Sequence, residues 1–293
     1  MNMPPTYCYW SVATGTYAGL MERCVESARD AGVFKEFHVM TDRPVKGAES
    51  YDAYEVELTD KLFKLVYLKA AISKLNFDYY VWLDADTVFQ RNPRNLLTCL
   101  SRSPIHMPLE VNLSAVMANV EAASPKMGRQ ILDVLSDTPK ASDRTTDKVN
   151  RFVDPNISHP RLHGLSIREY VGLFAAAGVS NPVYWSRSAF WIVRRTAIER
   201  LCELVLYFRA FAKERGITVD VSDGLSYAMQ MLCADPAKHE RSARPDLWAG
   251  QDDAVSDERT AGPALLHLSC SEQTSDGSGS TQEPKEEHEL LFD

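Results

Sequence analysis

The sequence predicts an α/β fold, in which a largely parallel sheet carries helices on its faces. Short apolar runs typical of buried strands alternate with amphipathic stretches of helical period. Such alternation favours parallel pairing of the strands. The chain has 293 residues, 45% of them hydrophobic, which is enough for a packed core and excludes wholesale disorder.

The first third of the chain follows this alternation closely. Strands are predicted where aromatic and β-branched side chains run up to turn residues, at residues 6–13, 36–41, 54–58 and 79–83. Helices are predicted where apolar residues recur at helical spacing, at residues 17–31 and 60–75. Asp60 is expected to cap the second helix. The run at 79–83 (YYVWL) is apolar throughout, as a buried strand is.

The rest of the chain is less regular. Short strands are predicted at residues 105–107, 189–193 and 264–268, and helices at 197–215 and 224–232. Residues 136–163 are polar and contain several Pro and Asp residues, which predicts a loop or an insertion. Residues 271–293 are rich in Ser, Gly and Glu, which predicts a disordered tail.

The negative charge of the chain is concentrated in that tail. The formal net charge is −8, from 40 acidic and 32 basic side chains. Residues 271–293 hold seven of the acids and one of the bases, so residues 1–270 carry 33 acids and 31 bases. The body is therefore close to neutral, and the acidic total says little about whether the protein acts on a nucleic acid.

The first residues, the lengths of the apolar runs and the cysteine spacing bear on the cellular compartment of the protein. Its first residues lack a cationic region and a long apolar run, and no stretch has the ~18 apolar residues of a membrane span. Six widely spaced cysteines form no C-x-x-C pair, so they are expected to be reduced and mostly buried. We therefore expect a soluble, cytoplasmic protein with no signal peptide and no transmembrane segment.

The strongest candidate for a functional site is the segment 79–89 (YYVWLDADTVF), in which a predicted apolar strand is followed directly by Asp84-Ala85-Asp86. Ligands of α/β sheets bind at the carboxyl ends of strands, so both carboxylates should face a cleft. Two hard oxygen ligands at this spacing suit Mg²⁺ or Mn²⁺, with phosphate and water completing the coordination. The alternative is that Asp-x-Asp is only a polar turn after a strand.

In four segments the chain resembles the GT-A-type glycosyltransferases, the nucleotide-diphospho-sugar transferase superfamily. These are residues 12–15 (VATG), residues 37–42 (FHVMTD), residues 61–70 with 80–86 (KLFKLVYLKA, YVWLDAD), and residues 181–193 (NPVYWSRSAFWIV). The resemblance implies a Rossmann-like three-layer α/β/α sandwich with a mixed, mainly parallel sheet. It also implies one domain over residues 1–270, with a donor-binding half at 1–108, an acceptor-binding half at 109–270, and the acidic tail at 271–293.

The resemblance also implies roles for individual residues. Asp84, Asp86 and His267 would hold Mn²⁺ or Mg²⁺, and the cation would bridge the diphosphate of a nucleoside-diphosphate-sugar, with UDP-sugars favoured. The set predicted to bind this donor comprises Ala13, Thr14, Gly15, Tyr17, Asp42, Lys61, Lys64, Asp84 and Ala85. Within that set, Lys61 or Lys64 would reach a phosphate, unless they lie on a solvated helix face. His267 would otherwise be a buried core histidine.

Two further positions are predicted to be catalytic. The segment after His267 reads Ser269-Cys270-Ser271 and lacks the lysine seen in similar families, so Arg187 is assigned the phosphate contact. Residues 216–230 resemble the catalytic segment of retaining galactosyltransferases, with Asp223 in place but Gly224 where the nucleophilic Glu would stand. Asp223 would orient the acceptor or act as a base, or it would simply cap a helix.

Other functions remain open at this point. Asp84-Ala85-Asp86-Thr87 also resembles the first motif of haloacid-dehalogenase-type phosphatases, in which Asp84 would be the nucleophile. A degenerate module that binds a nucleotide-sugar without turnover is a third possibility. The absence of G-x-G-x-x-G after the first strand disfavours a nicotinamide enzyme. The hydroxyl acceptor stays unidentified among glycans, proteins, lipid-linked sugars and modified nucleic-acid bases.

Overall fold

Strands and helices alternate through most of the chain. The computed structural model describes residues 4–52, 62–93, 96, 103–109, 111–118, 156, 158–186, 188–233, 248–250 and 265–267. The strands are β1 Tyr7–Ala13, β2 Phe37–Thr41, β3 Glu49–Asp52, β4 Tyr79–Leu83, β5 Thr87–Phe89, β6 Ile105–His106, β7 Val111–Asn112, β8 Tyr184–Trp185, β9 Phe190–Arg194, β10 Trp248–Gly250 and β11 Leu265–His267. The helices are α1 Tyr17–Asp30, α2 Phe63–Lys74, α3 Leu113–Ala118, α4 Ile167–Ala176, α5 Ile198–Lys213 and α6 Val221–Leu232.

A six-stranded sheet organises the structure, with strand order β3-β2-β1-β4-β9-β6. Strands β3, β2, β1 and β4 are parallel to one another, whereas β9 runs antiparallel to both of its neighbours, β4 and β6. The sheet is therefore mixed and mainly parallel, which confirms the α/β class. Because β9 is reversed, its first residues lie at the same edge as the last residues of β4.

Alternate residues of each strand face two separate cores. On one face, Cys8 and Trp10 pack with side chains of α2 and α5. On the other face, Tyr9 and Ala13 pack with side chains of α1. Burial on both faces explains why these strands are apolar in sequence.

A pair of tryptophans joins β4 to β9. Trp82 and Trp191 are direct cross-strand partners, and their rings stack 5.8 Å apart with an interplanar angle of 9°. Aromatic pairs of this kind contribute about 0.5–1.5 kcal/mol beyond the area they bury. The pair therefore helps to hold β9 beside the strand that leads into Asp84.

Two small sheets flank the main one. In the first, β11 pairs parallel with β10 and antiparallel with β5, with His267 opposite Thr87. The second pairs β7 with β8. The first of these sheets brings the end of the described chain beside the segment that follows Asp86.

Most predicted elements are confirmed within two or three residues. They correspond to β1, β2, β4, β6, β9 and β11, and to α1, α2, α5 and α6. The helix predicted from residue 224 begins earlier, at Val221, because Asp220 caps it. Asp60, the strand predicted at 54–58 and the tail at 271–293 lie outside the described residues.

Several elements were not predicted. The longest is α4, which occupies Ile167–Ala176 between the predicted loop and β9. Strand β3 is mostly exposed and polar, so it has no apolar alternation to mark it. The described part of the predicted loop at 136–163 contains one short 3₁₀ turn, Pro160–Leu162.

The described residues bear on two further expectations. Cys8, Cys24, Cys202 and Cys233 are buried free thiols, as predicted for reduced core cysteines. Among the helices that the structure describes, none is sufficiently long and apolar to cross a membrane.

Candidate functional site

The candidate site lies at the sheet edge where β1, β2 and β4 end and β9 begins. Gly15, after β1, donates its backbone N–H to Asp42 Oδ2, after β2, over 2.9 Å. Gly15 has a φ of +59°, a conformation that glycine adopts without strain. This bond ties together two loops that the sequence assigned to donor binding. Around them, Ala13 is buried and Tyr17 is 44% exposed.

Asp84 directly follows β4, and its carboxylate accepts hydrogen bonds from two side chains. Its Oδ1 accepts from the indole Nε1 of Trp82 and from Lys64 Nζ, each over 2.8 Å. Lys64 also donates to the carbonyl oxygen and the hydroxyl of Ser188, at 3.2 and 3.0 Å. An ammonium group has three protons to donate, and these three bonds account for all of them.

The setting of Lys64 differs from the predicted one. The side chain is only 9% exposed, on the first turn of α2, and it points to Asp84 and Ser188. A buried ammonium is costly unless it is paired, and Asp84 supplies the pairing carboxylate. Lys64 therefore holds the Asp84 carboxylate in place and balances its charge, while direct contact with a phosphate would require these bonds to break.

Asp86 lies on the other side of a buried Ala85, which packs in the core beside α1. Asp86 itself is 8% exposed. Burial raises the pKa of the Cys24 thiol on α1, and the nearby Asp86 carboxylate raises it further. Asp86 thus faces the α1 side of the edge, whereas Asp84 faces α2.

The main chain of His267 lies beside the residue that follows Asp86, because β11 pairs in register with β5. The three predicted metal ligands therefore come from neighbouring backbone segments, although the Asp84 and Asp86 carboxylates face different helices. The hard carboxylate oxygens of Asp84 and Asp86 are of the type that suits Mn²⁺ or Mg²⁺. A cation here would compete with Lys64 for Asp84.

The beginning of α6 forms a second polar cluster. Asp220 caps the helix by accepting from the backbone N–H of Ser222 and of Asp223, at 2.7 and 3.2 Å. Asp223 completes a capping box by accepting from the backbone N–H of Asp220 over 2.9 Å. Asp223 is therefore not the cap itself, but the third residue of a capped helix.

Asp223 is buried, and both of its oxygens have further partners. Tyr170 donates its hydroxyl to Oδ1 over 2.6 Å, and His163 Nε2 lies 2.5 Å from Oδ2. Burial raises the pKa of Asp223, and the bonds from His163 and Tyr170 oppose that shift. The same burial, with the charge of Asp223, raises the pKa of Tyr170. These interactions fix the His163 ring on a buried carboxylate.

Three side chains of this polar cluster have the composition of a metal site. His163, Asp220 and Asp223 each offer a ligand atom within 4.8 Å of the others. Backbone N–H groups, Tyr170 and His163 already bond these carboxylates. The cluster is therefore satisfied by the protein's own donors, and a cation would have to displace them.

A chain of hydrogen bonds connects the two clusters. Ser222 donates its hydroxyl to Ser188 Oγ over 3.0 Å, and Ser188 Oγ accepts from Lys64, which bonds Asp84. Three hydrogen bonds thus separate Ser222, next to Asp223, from Asp84. The structure brings the predicted acceptor residue and the predicted metal ligand to the same edge of the sheet.

Gly224 shows why the expected nucleophile is absent. A Cβ at this position would lie 2.6 Å from Val205 Cγ1, because α5 and α6 pack closely here. Heavy atoms do not approach so closely without displacement, so this position cannot hold a glutamate in the present packing. Lys61 and Arg187, also predicted to act, lie outside the described residues.

Sequence reasoning did not identify four residues of this edge: His163, Tyr170, Ser188 and Ser222. A single serine, histidine or tyrosine has no local sequence pattern that indicates a functional role. These four residues are also brought together only by the fold. One signal was present in the capping box Ser166-x-x-Glu169, which begins the helix that carries Tyr170.

Comparison of the chain with models of known protein families finds no match, and comparison with curated proteins finds no significant relative.

Proposed function

We propose that the protein is a metal-dependent GT-A-type glycosyltransferase, with the three-layer α/β/α architecture of that class. It moves a sugar from a nucleoside-diphosphate-sugar, with UDP-sugars favoured, to a hydroxyl acceptor. One observation carries the proposal: the loops after β1 and β2, the Asp84–Asp86 pair and the start of α6 meet at one sheet edge. Ligands of open α/β sheets bind at such an edge.

In this proposal the donor binds beside the loops that follow β1 and β2. Ala13, Thr14 and Gly15, bridged to Asp42, line the nucleotide position, and the exposed Tyr17 ring borders it. Asp84 and Asp86, with His267, would hold Mn²⁺ or Mg²⁺, which would supply Lewis-acid stabilisation of the charge on the departing nucleoside diphosphate.

Lys64 and Trp82 have a supporting role in this proposal. Both donate to Asp84 Oδ1, so the carboxylate stays in one orientation at the end of β4. A metal ligand whose own hydrogen bonds are fixed binds with less loss of entropy, and its outer partners affect affinity by about 10–100-fold. Arg187 retains its assigned phosphate contact as part of the proposal.

The first experiment measures nucleotide binding by calorimetry. UDP, GDP and their sugars are titrated into the full chain with and without Mn²⁺. We expect a UDP-sugar to bind, with Mn²⁺ tightening the binding, and Asp84→Asn and Asp86→Asn each to weaken Mn²⁺ affinity by more than the roughly 10–100-fold that loss of an outer partner costs. Asp78→Asn is the matched control, because Asp78 precedes the opposite end of β4 and bonds Thr6. If no nucleotide binds, the transferase proposal is wrong.

Further outcomes separate the alternatives. Hydrolysis of p-nitrophenyl phosphate that Asp84→Asn abolishes would identify a phosphatase with Asp84 as nucleophile. Donor that binds but is not cleaved, with glycan, protein, lipid-linked-sugar and nucleic-acid acceptors each supplied in turn, would favour a degenerate binding module. Unchanged Mn²⁺ affinity in His267→Ala would remove His267 from the metal site.

A further inference from the structure

One helical layer of the protein carries both exposed apolar side chains and an excess of positive charge. Helices α2 and α5 pack together on the same face of the sheet, and we call their outer surface the α2–α5 face. Six large hydrophobic side chains are exposed among the described residues, and three of them belong to these two helices: Val66, Leu206 and Tyr207, at 43%, 50% and 50%. Single exposed apolar residues are ordinary, but several on one surface indicate an interaction site.

Aromatic side chains extend along α5 toward its C-terminus. The rings of Tyr207 and Phe211, one helical turn apart, have centroids separated by 6.0 Å. The guanidinium of Arg215, one further turn along, lies 3.5 Å from the centroid of the Phe211 ring and donates to the Phe211 carbonyl oxygen over 3.0 Å. A cationic group therefore borders the apolar strip, as lysine and arginine do where hydrocarbon meets water.

The charges of the α2–α5 face are mainly positive. Apart from the buried Lys64, α2 and residues 198–215 contain six exposed or half-exposed bases and three exposed acids. The bases are Lys69, Lys74, Arg200, Arg209, Lys213 and Arg215, and the acids are Glu199, Glu203 and Glu214. Helix α1, on the opposite face of the sheet, has two bases and three acids. Positive charge is thus concentrated on the layer that also exposes Leu206 and Tyr207.

This combination distinguishes between two kinds of partner. Lysine is depleted in protein–protein interfaces, whereas the α2–α5 face contains Lys69, Lys74 and Lys213. Helices that lie on a bilayer place leucine and aromatic side chains among the lipid headgroups, and their lysine and arginine side chains attract anionic lipids. The composition of the α2–α5 face therefore favours a lipid surface over a second protein.

We propose that the α2–α5 face binds reversibly to the surface of an anionic lipid bilayer. Leu206 and Tyr207 enter the headgroup region, and Lys69 and Lys213 contact the lipid phosphates. Val66 is two residues from Lys64, which bonds Asp84, so the bound bilayer lies beside the candidate site. The interaction requires neither a nucleotide nor a metal ion, so it holds or fails independently of the proposed transferase function.

Vesicle flotation with the full chain tests this proposal. Vesicles of phosphatidylcholine alone are compared with vesicles of equal parts phosphatidylcholine and phosphatidylserine, at low and at physiological salt. We expect binding to the anionic vesicles only, and weaker binding as salt rises, because exposed charges are screened. Lys69→Gln and Lys213→Gln should each weaken binding about fivefold, the loss expected for one basic residue at an anionic surface.

The apolar contribution is tested by the double variant Leu206→Ser, Tyr207→Ser, which should weaken binding by more than about tenfold. Two matched controls should bind as the wild type does. Arg23→Gln removes an exposed base from α1, and Phe34→Ser removes a side chain that is 87% exposed before β2, at the opposite edge of the sheet. Circular dichroism would show that each variant is folded.

Several outcomes would overturn the inference. These are absence of binding to anionic vesicles, and equal losses of binding in Arg23→Gln and Lys69→Gln. Self-association in solution without vesicle binding, abolished by the double variant, would identify the α2–α5 face as a contact between two copies of the chain. Vesicle binding by a protein that binds no nucleotide-sugar would leave this inference standing and remove the transferase proposal.

Discussion

Replacing Gly224 with alanine tests the close packing of α5 on α6. The added Cβ would lie 2.6 Å from Val205 Cγ1 and 3.4 Å from Val205 Cβ. Val205 is fully buried, and a valine in a helix has one strongly preferred rotamer, so rotation gives little relief. Overpacking of this kind costs about 1–3 kcal/mol. The higher helix propensity of alanine offsets about 1 kcal/mol of this cost.

The difference between these terms predicts a net loss of up to roughly 2 kcal/mol in the free energy of unfolding. Urea denaturation followed by circular dichroism would measure it, and the melting temperature should fall by about 2–4 °C for each kcal/mol. Gly172→Ala is the matched control, because Gly172 lies inside α4 with no atom within 4 Å of its added Cβ. That variant should be more stable by about 0.5–1 kcal/mol. A Gly224→Ala protein as stable as Gly172→Ala would refute the packing argument.

Two other predictions concern stability. Ser166→Ala removes the hydroxyl that caps α4 by accepting from the Glu169 N–H, and it leaves the backbone N–H of residue 166 bonded to the Glu169 carboxylate. It should lower the free energy of unfolding by about 1 kcal/mol in urea titrations, whereas a change below about 0.2 kcal/mol would show that the hydroxyl cap is not stabilising. Burial lowers the pKa of His38 below its ordinary 6.5, with Glu36 opposing, so the unfolded chain binds more protons than the folded one. The stability that neutral His38 contributes is therefore complete above pH 6.5 and is lost as the pH falls below it. Urea midpoints from pH 7 to pH 5 should fall less in His38→Gln than in the wild type, and equal slopes would contradict this.

The sequence was sufficient for elements whose pattern is local. β4 is a run of five apolar residues, and α5 shows a long apolar stripe, so each was predicted nearly to its ends. β3 and α4 were missed for different reasons. β3 is polar and exposed at the edge of the sheet, and its pairing depends on β2 rather than on its own side chains. α4 had a readable capping box that went unused.

The site was predictable only in part, for a physical reason. Asp84 was marked by the apolar strand before it, but its bond to Lys64 depends on how α2 packs on the sheet. Ser188 is 124 residues from Lys64 in sequence, and no local pattern relates them. His163 is placed by a left-handed turn and by Asp223, neither of which periodicity indicates.

The reversed direction of β9 has a consequence for how the protein folds. Ser188 precedes β9, and Asp84 donates its backbone N–H to the Ala189 carbonyl oxygen over 2.9 Å. These contacts join segments far apart in sequence, and closing such a long loop is entropically costly and slow. A chain folded only through β6 would have Lys64 without Ser188, and it would leave the edge of β4 open to pairing with another chain. Pairing of β9 with β4 therefore brings Ser188 to Lys64 and covers the edge of β4 at the same time.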